Sequence, residues 1–270
     1  MSACHDVLQA PVDPALTLLV ERFGQDGWLV RRSAETPQRW IVLCHNSDES
    51  GRRLAGALID SAGDENWWVV AIATPATTYG GGFAGLKYVA DELEQGRLAC
   101  LNGNSVPHFY LFGCDEGACA AESFACACPE RVIRLVLLPG QAFNRRLKSQ
   151  HREECEAEGR RLVRTPLLVV LSGQLVGDGS GAASESRHTD RLLAIDGWLR
   201  QIRRSAYRRG IQPDCGVLAL PRSATMRTTQ LLLEPQLFAE VGAFYRGHRA
   251  LPLASVPAAT TGPSTLKFML

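Results

Sequence analysis

The five residues Gly113-Cys114-Asp115-Glu116-Gly117 have the types and spacing most readily turned to chemistry in this sequence. An apolar run of strand length, Phe109 to Phe112, meets the Gly-x-x-x-Gly turn, and a small-residue stretch able to start a helix follows at once. That is the outline of a nucleophile elbow, a sharp turn that presents one side chain at its tip and tolerates no side chain two residues to either side. The tip residue is Asp115, where serine is usual. A carboxylate at that place can attack carbon, take a proton, or anchor a bound ligand by its charge.

The other chemically capable residues are scattered. Of six histidines, His45 begins a polar loop with Asn46, and His188 lies just past a Gly/Ser-rich loop, so either could enter a pocket near the elbow. His108 opens the apolar run before the turn and belongs at the far edge of a sheet, while His5, His151 and His248 read as peripheral. Cys114, one residue before the tip, reads as a buried and inert thiol. Cys119, Cys126 and Cys128 form no Cys-x-x-Cys pair of a zinc site, and Ser123 falls about two turns into the helix. The triplet Gly80-Gly81-Gly82 lacks the lysine and hydroxyl of a phosphate-binding loop. No cofactor or metal is expected.

These residues need elements to position them. Trp28 to Arg32 and Trp40 to Cys44 read as two strands joined by a polar loop containing Pro37, an antiparallel start to a sheet. Pro14 to Phe23 has helical spacing with weak punctuation. Arg52 to Ile59 has a helical apolar pattern, Trp67 to Ile72 reads as a buried strand, and Leu86 to Glu94 as a helix. After the elbow come a helix to about Cys128, a break at Pro129-Glu130 and a strand from Val132 to Leu138. Residues 141 to 163 are highly charged and read as a solvated helical excursion. The arginine pairs 145–146, 160–161, 203–204 and 208–209 likewise read as solvated faces. Pro166 to Leu171 is a buried strand, Gly173 to Ser184 a Gly/Ser-rich loop, His188 to Arg204 a long helix, Gly216 to Leu220 the last core strand, and Leu237 to Tyr245 the last helix. The stretch from Pro252 reads as extended or loosely ordered.

Composition sets the bounds. A chain of 270 residues, 46% hydrophobic and 21% charged, suits one large α/β domain over residues 1 to 250 with a tail from 251. With 29 basic and 28 acidic residues the net charge is +1, which gives no long-range field for nucleic acid or an anionic membrane. No apolar segment approaches the roughly 20 residues of a membrane helix. The opening residues lack the pattern of a signal peptide, so a soluble, cytoplasmic protein is expected. Nine cysteines, several in apolar runs, suit reduced thiols.

Alternating strands and helices imply a mostly parallel, doubly wound sheet with helices on both faces and sites at the carboxyl ends of the strands. With its His-Asn loop after an early strand, its elbow in mid-chain and an acidic Gly/Ser loop one strand before the last, the sequence resembles the α/β-hydrolase superfamily. The resemblance spans Trp28 to Tyr245 and is nearest the esterase, polyester-depolymerase-like or dienelactone-hydrolase-like branches. It implies that Asp115 occupies the nucleophile position, as in the aspartate elbows of dehalogenases and epoxide hydrolases, although Glu116 departs from the neighbour those enzymes carry. It implies oxyanion donors at the N–H of Glu116 and in the loop at His45 and Asn46, and an acid at Asp178, a residue that between glycines also reads as a simple turn former. The family's histidine would follow the last core strand, yet 221 to 227 (Pro-Arg-Ser-Ala-Thr-Met-Arg) contains none, which leaves His188 as the histidine nearest the acid loop. Two functions follow: an atypical hydrolase-fold enzyme acting on a small carbonyl or ester-like substrate through Asp115, or a degenerate relative that binds a small molecule or partner without turnover.

Overall fold

The computed structural model describes residues 18–23, 27–33, 35–45, 48–74, 81–97, 99–140, 143, 146–147, 152–171, 182–219 and 235–248. Eight strands form one sheet: β1 (Leu19–Phe23), β2 (Gly27–Arg31), β3 (Arg39–His45), β4 (Trp67–Ala73), β5 (Phe109–Asp115), β6 (Val132–Pro139), β7 (Leu167–Leu171) and β8 (Cys215–Ala219). Their spatial order is β1-β2-β4-β3-β5-β6-β7-β8, with β1–β2 and β2–β4 antiparallel and every pair from β4–β3 to β7–β8 parallel. Together with the strand–turn–helix at β5, this is the α/β-hydrolase fold.

The helices are α1 (Asp48–Ser61), α2 (Gly81–Glu94), α3 (Gly117–Ala127), α4 (Arg152–Leu162), α5 (Ala182–Tyr207) and α6 (Pro235–Tyr245). Central strands apolar at nearly every position must be covered on both faces. Ile41, Leu43, Val69, Phe112, Val136 and Val170 pack against Leu54 and Leu58 of α1 and Val241 and Phe244 of α6. The alternate positions Val42, Val70, Leu111, Leu137 and Val169 pack against Leu86 of α2, Phe124 of α3, and Trp198 and Ile202 of α5. At the boundary of the first face, the Tyr245 hydroxyl donates to the buried Leu111 carbonyl at 3.0 Å, beside the register shift between β5 and β6. Among the described residues no helix is long and apolar enough to cross a membrane.

Several expectations need correction. The helical spacing of Pro14 to Phe23 does not persist to its end, because Leu19–Phe23 is a strand paired to β2, with Glu21 bridging to Arg31 across the pair. So short an apolar run fits either period, and the neighbouring strand decides. The antiparallel start is present, but the two strands around Pro37 are not partners. The β3-α1-β4 crossover lays β4 beside β3, and β2 pairs with the far edge of β4, Trp28 facing Ala71. Helix α5 begins at Ala182, ahead of both the expected start at His188 and the expected loop end at Ser184. The tail from Pro252 lies outside the described residues.

Candidate active site at the turn between β5 and α3

Asp115 is the last residue of β5, and its backbone has φ 53, one of two positive values among described residues other than glycine. This left-handed conformation disfavours most side chains, and Asp is one of the few that adopt it. The expected tight turn is therefore in place. Both framing glycines are required by space. A Cβ on Gly113 would lie 2.7 Å from the Ala118 Cα and from the Ala121 Cβ, inside α3. A Cβ on Gly117 would lie 2.3 Å from the Cys44 carbonyl oxygen, inside β3. A third glycine, not singled out by the sequence reading, completes the frame: a Cβ on Gly140, just past β6, would come within 2.8 Å of the Asp115 Cα and 3.1 Å of its Oδ1. The half-buried Asp115 carboxylate thus sits over Gly140 at the carboxyl end of the sheet.

Glu116 follows in a helical conformation (φ −64, ψ −33) at the N-cap of α3, and its carbonyl accepts the Cys119 N–H at 3.0 Å. Its side chain is only partly in water. Oε2 is enclosed and has no hydrogen-bond partner among the described residues. The start of α3 directs backbone N–H groups and the positive end of a helix dipole to the same end of β5 as the Asp115 carboxylate. Cys114 is fully buried, its Sγ 3.9 Å from Asp115 Oδ2, and burial together with the neighbouring carboxylates pushes its thiol well up, as suits an inert residue.

His45 closes β3, and its ring is wholly enclosed against α1, where a Cβ on Gly51 would fall 2.0 Å from Nε2. Its carbonyl accepts from Thr74 twice, from the N–H at 2.6 Å and from Oγ1 at 2.8 Å, which fixes the end of β3 against the end of β4. Thr74 was not identifiable from sequence, because a lone threonine after a strand carries no signal of its partner. Asn46 and Asp178 lie outside the described residues. His188 is within α5, and its side chain is outside them too. The structure therefore brings Asp115 and Glu116 together with the end of β3. His108 is exposed at the opposite end of β5, Nδ1 2.9 Å from the Glu130 carbonyl oxygen, and His248 is exposed, so both are peripheral as expected. His5 and His151 lie outside the described residues.

Behind the elbow is a feature the sequence reading assigned to water. Arg146 is not on a solvated face. Its Nη2 lies 2.8 Å from Glu122 Oε2 of α3, and its Nη1 lies 2.9 Å from Glu158 Oε1 of α4. The Glu122 side chain is 0% exposed, and its burial pushes the carboxyl up to about 7, with the nearby Glu158 adding to the shift and Arg146 opposing it. The available signal was Glu122 itself, the only charged residue between Gly117 and Cys128 in a run otherwise of small or apolar residues and Ser123. Arg160, Arg161, Arg204, Arg208 and Arg209 are exposed as expected, whereas Arg203 is half-buried, its Nη2 donating to the Cys215 carbonyl at 3.4 Å, and Arg145 lies outside the described residues.

No protein-family model matches the sequence, and no curated protein matches it significantly. Solved structures do. The chain is similar to MPT51 of Mycobacterium tuberculosis, with a TM-score of 0.55 and 14% identity over 92% of this chain and 100% of that one. It is similar to the poly(3-hydroxybutyrate) depolymerase LpqC of Bordetella parapertussis, with a TM-score of 0.54 and 13% identity over 88% of this chain and 92% of that one. It is also similar to the carboxylesterase CesB of Bacillus subtilis, with a TM-score of 0.51 and 13% identity over 88% and 93%. At these identities the likeness speaks for the fold.

Proposed function

We propose that the protein is an atypical α/β-hydrolase-fold enzyme acting on a small carbonyl or ester-like substrate, with Asp115 as the reacting group at the nucleophile position. The observation that carries this reading is the carboxylate of Asp115, held at φ 53 on a turn framed by Gly113, Gly117 and Gly140, because a strained tip costs stability and such strain clusters where a side chain is used. The carboxylate takes a proton from a water molecule as the water oxygen bonds to the substrate carbonyl carbon, and the carbonyl π electrons move onto its oxygen. The resulting oxyanion accepts from the backbone N–H of Glu116. On collapse the carbon–leaving-group bond breaks, and the departing oxygen takes the proton back from Asp115. Asp178 and His188 remain candidates for supporting roles, as acid and base, and His45 and Asn46 for the oxyanion loop.

Ordinary serine chemistry has no place here, since the tip is not serine and residues 221 to 227 contain no histidine. Fluorophosphonate probes are therefore expected to leave the protein unlabelled, and nitrophenyl esters to give no burst. A panel of small lactones and short alkyl esters, run in oxygen-18 water with mass spectrometry of the elbow peptide, tests the positive claim. Turnover with label in the acid product and none in Asp115 fits the base role; label in the Asp115 carboxylate replaces it with direct attack. The same missing serine and histidine favour a second reading, a degenerate member that binds a small molecule or partner without turnover. Saturable binding of panel compounds with no product would establish that reading instead.

A further inference from the structure

We propose that Glu122, Arg146 and Glu158 form a pH-sensitive latch that fastens helix α4 to the elbow helix α3 through Arg146 and releases it as pH rises. The geometry is a three-member chain, fully buried at Glu122 and half-buried at the other two, with Arg146 bridging Glu122 of α3 at 2.8 Å and Glu158 of α4 at 2.9 Å. Apolar packing places the bridge. The Arg146 guanidinium lies 5.1 Å over the Phe143 ring, and that fully buried ring meets Trp198 of α5 edge-on at 5.6 Å.

The groups facing Glu122 among the described residues are few. From α3 itself, the Cys126 Sγ lies 3.5 Å from Glu122 Oε1, and Cys119 and Glu116 lie on the same helix start. From the 143–147 segment comes Arg146, and from α4 Glu158. The charged residues of α2 are engaged elsewhere, with Asp91 bound to Lys87 and Arg131 and Glu94 paired to Arg131. A carboxylate with no exposed surface shares its one arginine with a second carboxylate, so the closed arrangement holds its proton more tightly than an open, hydrated one does. Raising the pH therefore favours the open form. Closed and open values of about 7 and 4.5 make the opening equilibrium rise about tenfold between about pH 6 and about pH 8.

Hydrogen exchange of the full chain, corrected for intrinsic rates, reads this directly in peptides spanning α4. The wild type is expected to lose about tenfold in protection over that range, and Glu122→Gln to lose none. Equal losses in both proteins, or no loss in the wild type, would overturn the proposal. Should the variant fold poorly, carboxyl-carbon NMR of wild-type Glu122 decides. A midpoint near 7 supports the latch, and one near the ordinary 4.5 overturns it.

Discussion

At the scale of single residues, two carboxylates behave oppositely because their surroundings differ. Asp115 is half-buried at the tip of a turn, whereas Glu122 is sealed against Arg146. The sign of the Glu122 effect on stability follows from its raised folded value. Below about pH 4.5 it is protonated whether folded or unfolded. Between there and about pH 7 the unfolded chain releases a proton that the fold retains, so each step upward favours unfolding until the loss levels off. The stability of Glu122→Gln relative to wild type is therefore expected to improve across that window, by up to roughly 3 kcal/mol, in urea titrations at a series of pH values. A difference that stays constant with pH would contradict the assignment. Asp115 was legible in the sequence because glycines frame it; Glu122 was visible only as a charge in an apolar run, and Arg146, 24 residues on, announced nothing.

At the scale of elements, the elbow works because β5 and α3 pass close enough to β3 that only glycine fits. Gly117 is the closest approach, with its absent Cβ facing the Cys44 carbonyl at 2.3 Å. Gly117→Ala must push α3 off β3, and a loss of more than about 3 kcal/mol in urea denaturation is expected. A change within about 0.5 kcal/mol would show that the turn relaxes and that its tight frame is not required. The alternation of buried strands and amphipathic helices from β3 onward was legible because strands covered on both faces read as continuous apolar runs. The strand at Leu19–Phe23 and the pairing of β2 with β4 were not. A five-residue run lacks a decisive period, and strand order is set by the crossover through α1, which has no local signature.

At the scale of the whole molecule, the sheet order puts β5 near the middle of eight strands, so its carboxyl end is flanked by the ends of β3 and β6 and roofed by α3. That placement was readable from the order of elements, whereas the approach of Thr74 to the His45 carbonyl was not, because it depends on a contact between strand ends that no short sequence pattern encodes. Asp115→Asn separates the reacting carboxylate proposed for this frame from a mere turn residue, because it keeps size and tolerance of φ 53 while removing the charge. The variant is expected to unfold within about 1 kcal/mol of wild type and to hydrolyse the responsive lactone or ester about a hundredfold more slowly. Wild-type turnover in a folded Asp115→Asn protein would show that Asp115 is not the reacting group.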